Sequence, residues 1–125
     1  MQLRQLLKSV SKVYQKTYVN GISFDSRKVK KGNIFFAIRG KNTSGTKFID
    51  SAIFKGASVI ISDKISKHQN YKVPVILVKD VRKSLSEACS KFYKKKPSNI
   101  IAVTGTNGKS SIVNFYYQIL NLNNI

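Results

Sequence analysis

The run Thr104-Gly105-Thr106-Asn107-Gly108-Lys109-Ser110-Ser111 contains the residue types of a phosphate cradle. Glycines let backbone N–H groups approach phosphate oxygens. A lysine brings a point charge to the outer phosphates, and the next hydroxyl can reach a magnesium ion. The apolar residues 100–103 read as a buried strand, and Ile112, Val113, Tyr116, Ile119 and Leu120 fall at helical spacing. The predicted order is therefore strand, glycine turn, helix N-terminus. The spacing Gly105-x-x-Gly108-Lys109-Ser110 is tighter than the common P-loop, which would put a glycine where this chain has Val103. The residues alone predict that a nucleoside triphosphate is gripped between 105 and 111, with the Ser110 hydroxyl able to bind Mg²⁺.

Other candidates are less specific. Asp25-Ser26-Arg27 reads as an Asx-type turn at a strand end, where Ser26 can alternatively donate to a ligand phosphate or carbonyl. Lys41-Asn42-Thr43 follows Gly40 in a polar loop and has the same two readings. His68 has no histidine or carboxylate at metal-ligand spacing. Cys89 lies on an apolar helix stripe and reads as core. The acidic residues are Asp25, Asp50, Asp63, Asp80 and Glu87, and no two of them suggest a paired acid and base. Nor is there a nucleophile triad. The chain has a nucleotide grip and no visible reaction centre.

The elements that must position these residues alternate between strand and helix. Leu3, Leu6, Leu7 and Val10 predict an opening amphipathic helix. Residues 18–24 read as a strand interrupted at Asn20-Gly21, and 34–38 as a central strand apolar on both faces. Phe48, Ile49, Ala52 and Ile53 predict a second helix closed by Gly56. Strands follow at 58–62 and 75–78, with a polar loop over 63–72 between them. Asp80 is a plausible N-cap for a third helix with the stripe Val81, Leu85, Ala88, Cys89 and Phe92. Pro97 marks the expected domain boundary, giving domains 1–96 and 97–125 and an α/β class.

Composition narrows the options. The chain has 125 residues, enough for about one domain. No apolar run approaches the ~20 residues of a membrane span, and the N-terminus lacks a signal-peptide core, so a cytoplasmic protein is expected. A single cysteine allows no intrachain disulfide. The net charge of +18 is compatible with nucleic-acid binding. However, nearly all of it is lysine, spread along the chain and densest at Lys94-Lys95-Lys96. The only arginines are Arg4, Arg27, Arg39 and Arg82. A generic solvated basic surface is the expectation, with no specific nucleic-acid partner.

The segment from Asp25-Ser26-Arg27 through Gly32-Asn33-Ile34-Phe35-Phe36-Ala37-Ile38-Arg39-Gly40 resembles the N-terminal domain of the Mur ligases. Within that family the resemblance is to the tripeptide synthetases, which add the third residue of the peptidoglycan stem peptide. Phe48-Ile49, Gly56-Ala57, Val73-Pro74-Val75-Ile76 and Phe92-Tyr93 before Pro97 match in order and spacing. Thr104-Gly105-Thr106-Asn107-Gly108-Lys109 resembles the family's ATP loop. Serine replaces the usual threonine at Ser110 and keeps the hydroxyl. The resemblance implies a small substrate domain followed by the first strand–P-loop–helix unit of an ATPase domain. It implies that Phe24, Ser26, Lys41, Asn42 and Thr43 contact the UDP-muramyl substrate. The ATP contacts would be Gly105, Thr106, Asn107, Gly108, Lys109, Ser110 and Ser111, with Mg²⁺ on Ser110.

The implied reaction is ATP-dependent amide formation through an acyl phosphate. It joins diaminopimelate or lysine to UDP-N-acetylmuramoyl-L-alanyl-D-glutamate in a monomeric, membrane-free ligase. The glycine loop lies so near residue 125 that a fragment of a longer ligase is expected, inactive alone, with its last apolar helix stripe lacking a sheet to cover. The alternatives are the branch that adds D-alanyl-D-alanine, a basic module that binds nucleotide or nucleic acid without chemistry, and a stand-alone UDP-sugar binder.

Overall fold

The computed structural model describes residues 1–7, 10–40, 43–65, 71–95 and 97–124. These form two units, Met1–Lys94 and Lys95–Ile125. The first is organised by strand β2 (Asn33–Phe36), in which every residue is buried. Its neighbours are β1 (Gly21–Ser23) and β3 (Val59–Ser62), and β4 (Val75–Leu77) lies beyond β3. The sheet order is β1-β2-β3-β4, and all pairs are parallel. Ile34 lies opposite Ile22 and Val59, and Ile61 lies opposite Phe36 and Ile76. Central parallel strands are covered on both faces, so β2 and β3 read as unbroken apolar runs.

Alternation along β2 and β3 divides the core in two. Ile34, Phe36, Val59 and Ile61 face one layer, packed with Leu3 and Leu6 of α1 (Leu3–Leu6) and Val81 and Ala88 of α3 (Val81–Phe92). Phe35, Ala37 and Ile60 face the other, packed with Ile49 and Ala52 of α2 (Ile49–Phe54). Each fully buried side chain of this kind contributes about 1.5–3 kcal/mol. Asp80 caps α3, its Oδ1 accepting from the Lys83 N–H at 2.9 Å. The Lys91 ammonium donates to the Leu6 carbonyl at 3.0 Å and joins α3 to the end of α1. Cys89 on the same helix is half-buried, and burial pushes its thiol pKa up.

Three elements differ from expectation. The opening helix stops at Leu6, because Leu7 is already extended. Only Gly21–Ser23 of the expected strand 18–24 joins the sheet, while Tyr18 forms an isolated antiparallel bridge with Gln2. Residues 99–103 form no strand. A strand is stabilised by a partner's backbone, and the unit Lys95–Ile125 contains no second strand among its described residues. The one regular element among them is α4 (Lys109–Leu122), which buries no residue. No helix among the described residues is long and apolar enough to cross a membrane.

Candidate nucleotide sites

The chain leaves β1 at Ser23, and Phe24 follows with 66% of its surface exposed. Asp25 then caps a single 3-10 turn, Ser26–Lys28, accepting from the Arg27 N–H at 2.9 Å. The Arg27 guanidinium closes on the same carboxylate with two bonds, Nε to Oδ1 at 3.0 Å and Nη2 to Oδ2 at 2.9 Å. These bonds to Arg27 hold the Asp25 pKa at about 2. The Ser23 hydroxyl donates to the Asp25 carbonyl at 2.8 Å, and the Lys55 ammonium donates to the Arg27 carbonyl at 3.0 Å. The turn is therefore fixed from both sides. Ser26 is buried within it at 8% exposure, and its hydroxyl has no hydrogen-bond partner among the described residues.

A second loop leaves β2. The Gly40 N–H donates to the Thr43 carbonyl at 2.8 Å, Arg39 and Ser44 form an isolated bridge, and the Gly45 N–H donates to the Ile38 carbonyl at 3.0 Å. Ser44 starts the 3-10 turn Gly45–Phe48, which runs into α2. Arg82 reaches across from the first turn of α3, its Nη2 donating to the Arg39 carbonyl at 3.3 Å.

Two clefts lie at the carboxyl ends of β1 and β2, the edge where open parallel sheets bind ligands. One, of about 420 Å³, is lined by Phe24, Asp25, Ser26, Arg27 and Phe48. The other, of about 460 Å³, is lined by Phe24, Ile38, Thr43, Gly45, Phe48 and Arg82, together with Gly40 and Leu85. Phe24 and Phe48 belong to both, so the fold brings Phe24, Ser26 and Thr43 to one continuous surface. Lys41 and Asn42 lie outside the described residues, as does His68. Sequence reasoning missed Phe48 and Arg82. Phe48 fits the apolar stripe of α2, yet it is 43% exposed. Arg82 is one of four arginines in a lysine-rich chain, the one signal that could have singled it out.

The second unit has its own phosphate-type geometry. Gly108 has a φ of 77° and is the N-cap of α4, whose first turn has no side-chain cap and no acidic residue. That leaves a helix N-terminus open to an anion. A Cβ added to Gly108 would meet nothing within 4 Å, so the space above the turn is free. The Lys109 ammonium folds back over the loop, donating to the Gly105 carbonyl and to the Thr106 carbonyl at 3.0 Å. Ser110 and Ser111 are exposed in the first turn. Lys109 and Ser110 line a depression of about 450 Å³ with Val113, Asn114 and Tyr117. This donor set fits a phosphate chain. Among the described residues no three His, Cys, Asp or Glu side chains cluster as metal ligands, so the Ser110 hydroxyl is the candidate contact for a phosphate-bound cation.

Comparison with known proteins agrees with this architecture. The family model "Mur ligase family, catalytic domain" matches residues 18–93. A "UDP-N-acetylmuramoyl-L-alanyl-D-glutamate--2,6-diaminopimelate ligase" of Rickettsia montanensis is 47% identical over 88% of this chain and 22% of its own length. The protein of the same name from Rickettsia rickettsii is 46% identical over 91% of this chain and 23% of its own. Among solved structures, the MurF ligase of Thermotoga maritima in complex with ADP superimposes with a TM-score of 0.63. It is 26% identical, and the match covers 84% of this chain and 23% of that one. The chain thus spans less than a quarter of the length of the relatives it matches.

Proposed function

The chain belongs to the Mur ligase family, and on that footing we propose that it forms the nucleotide-substrate-binding portion and ATP loop of a ligase. That ligase would join diaminopimelate to UDP-N-acetylmuramoyl-L-alanyl-D-glutamate in the cytoplasm during peptidoglycan synthesis. The observation that carries the reading is the convergence of Phe24, Ser26 and Thr43 on adjoining clefts at the carboxyl edge of the sheet. Diaminopimelate is favoured as the added residue because the relatives at 46–47% identity are named for it. The MurF ligase of Thermotoga maritima is more distant, at 26% identity.

In this reading Phe24 offers a ring face to the base, and the Ser26 hydroxyl, without a partner among the described residues, donates to the nucleotide. Lys41, Asn42 and Thr43 are the further candidate contacts to the nucleotide. In the second unit, the N–H groups at the start of α4 and the Lys109 ammonium hold the ATP phosphates, and the Ser110 hydroxyl holds Mg²⁺. The chemistry a magnesium ion would supply on the Ser110 hydroxyl is neutralisation of phosphate charge. The D-glutamate carboxylate oxygen attacks the γ-phosphorus and ADP leaves. The amine of the incoming amino acid then attacks the acyl carbon and expels phosphate. The residues on these 125 positions bind and orient; none is assigned to proton transfer.

The test is a chimera in which these residues replace the matching segment of the Rickettsia montanensis ligase. Phosphate release that depends on both UDP-muramyl dipeptide and diaminopimelate is expected, reduced about tenfold or more in kcat/KM by Ser26→Ala. A folded chimera without activity overturns the reading.

A further inference from the structure

We infer that Arg82 binds the diphosphate of the nucleotide substrate from the wall of the larger cleft, an inference that rests on the nucleotide-binding reading of that cleft. A guanidinium has five N–H donors in a rigid fork. Arg82 commits one nitrogen to the Arg39 carbonyl, at 3.3 Å, and pairs with no carboxylate among the described residues. No acidic side chain is among the described residues lining that cleft. Arg27, the other arginine lining these clefts, differs in both respects. Asp25 takes two of its donors, and its charge is compensated at 2.9 Å. The uncompensated guanidinium of the pair of clefts is therefore Arg82.

Its placement is set by the fold rather than by its own flexible stem. Arg82 stands in the first turn of α3, next to buried Val81, and Leu85 one turn later packs against the core. The bond to the Arg39 carbonyl fixes the head of the side chain beside the loop that carries Thr43. A donor oriented before the ligand arrives loses less freedom on binding. The same cleft has the Phe24 and Phe48 rings on its wall. An apolar wall for a base beside a fork-shaped cation is the chemistry of a nucleoside diphosphate. Arginine meets phosphate oxygens with paired, charge-assisted bonds.

The test titrates the isotopically labelled 125-residue chain with UDP and with uridine, following amide resonances. The unmodified chain is expected to bind UDP more tightly than uridine. Arg82→Gln is expected to lose about tenfold in UDP affinity and to leave uridine affinity unchanged. Arg82→Lys keeps the charge and the helix, and serves if the glutamine variant fails to fold. It is expected to lose only several-fold on UDP and nothing on uridine. Equal losses on both ligands would mean that Arg82 only braces the loop at Arg39, and unchanged UDP affinity would exclude it from the site. Either result overturns the inference and leaves the nucleotide reading standing. An unmodified chain that binds neither UDP nor UDP-muramyl dipeptide overturns that reading and the inference together.

Discussion

Gly45 lies against the end of β2 so closely that a Cβ added to it would stand 2.5 Å from the carbonyl carbon of Ala37. It would also lie 2.6 Å from the Ile38 nitrogen and oxygen. Backbone cannot yield as a flexible side chain would. Gly45→Ala therefore displaces the loop between β2 and α2, breaks the bond from the Gly45 N–H to the Ile38 carbonyl, and moves Thr43 off the cleft. We expect a loss of about 1–3 kcal/mol in urea unfolding, together with weaker UDP binding. Unchanged stability would show that the loop accommodates a methyl group.

The Asp25–Arg27 pair predicts a pH response. The Asp25 pKa is about 2 in the folded chain, below the roughly 3.9 of an unfolded aspartate. A depressed carboxyl pKa stabilises the fold fully above the unfolded value, and that contribution is lost as pH falls through the folded one. The pair should thus persist through mildly acidic pH and fail between about 4 and 2. The carboxyl carbon of Asp25, followed by NMR, should titrate near 2 and rise toward the ordinary aspartate range in Arg27→Gln, which removes the guanidinium but keeps the bond from the backbone N–H of residue 27. A normal midpoint in the unmodified chain would contradict the closed pair.

At Gly108 the backbone carries a φ of 77° with open space where a Cβ would go. Gly108→Ala meets no clash yet holds an L-residue in the left-handed region, at about 1–2 kcal/mol, and puts a methyl group into the phosphate space. ATP binding is expected to weaken while UDP binding is unaffected. Isothermal titration with each nucleotide separates the two, and equal loss of both would argue against separate sites.

Leu6 is fully buried, and its carbonyl accepts from Lys91. Leu6→Ala should cost about 2–5 kcal/mol through lost burial and the cavity left between α1 and α3. Lys91→Met, which keeps most of the stem and removes the donor, should cost about 1 kcal/mol. Denaturant midpoints of both variants measure this directly, and a larger loss for Lys91→Met would reverse the assigned weights.

A polypeptide limited to these 125 residues is expected to release no phosphate above background with UDP-muramyl dipeptide, diaminopimelate and ATP. Its described residues offer binding groups and no reaction centre. Turnover in a coupled phosphate assay would show that the missing chemistry is present.

The local parts of this protein were legible in its residues. The unbroken apolar run at Ile34-Phe35-Phe36 marks a strand covered on both faces. Asp80 marks the start of α3, and Gly108-Lys109 marks the start of α4. Each depends on neighbours within one turn or one pleat, which spacing along the chain reports. The convergence of Phe24, Thr43, Phe48 and Arg82 on one surface is different. Those residues come from four segments, and only parallel pairing in the order β1-β2-β3-β4 brings their ends to one edge. Phe48 looked like core because its helix stripe continues onto it, and only the packing of α2 leaves its ring exposed. Residues 99–103 show the converse: the apolar pattern of a strand is present, and no strand forms. A strand's hydrogen bonds belong to a partner that no local pattern contains. Spacing along the chain was enough to place the glycine turn before α4 and the central strands, while only the packed fold settled which side chains share a cleft.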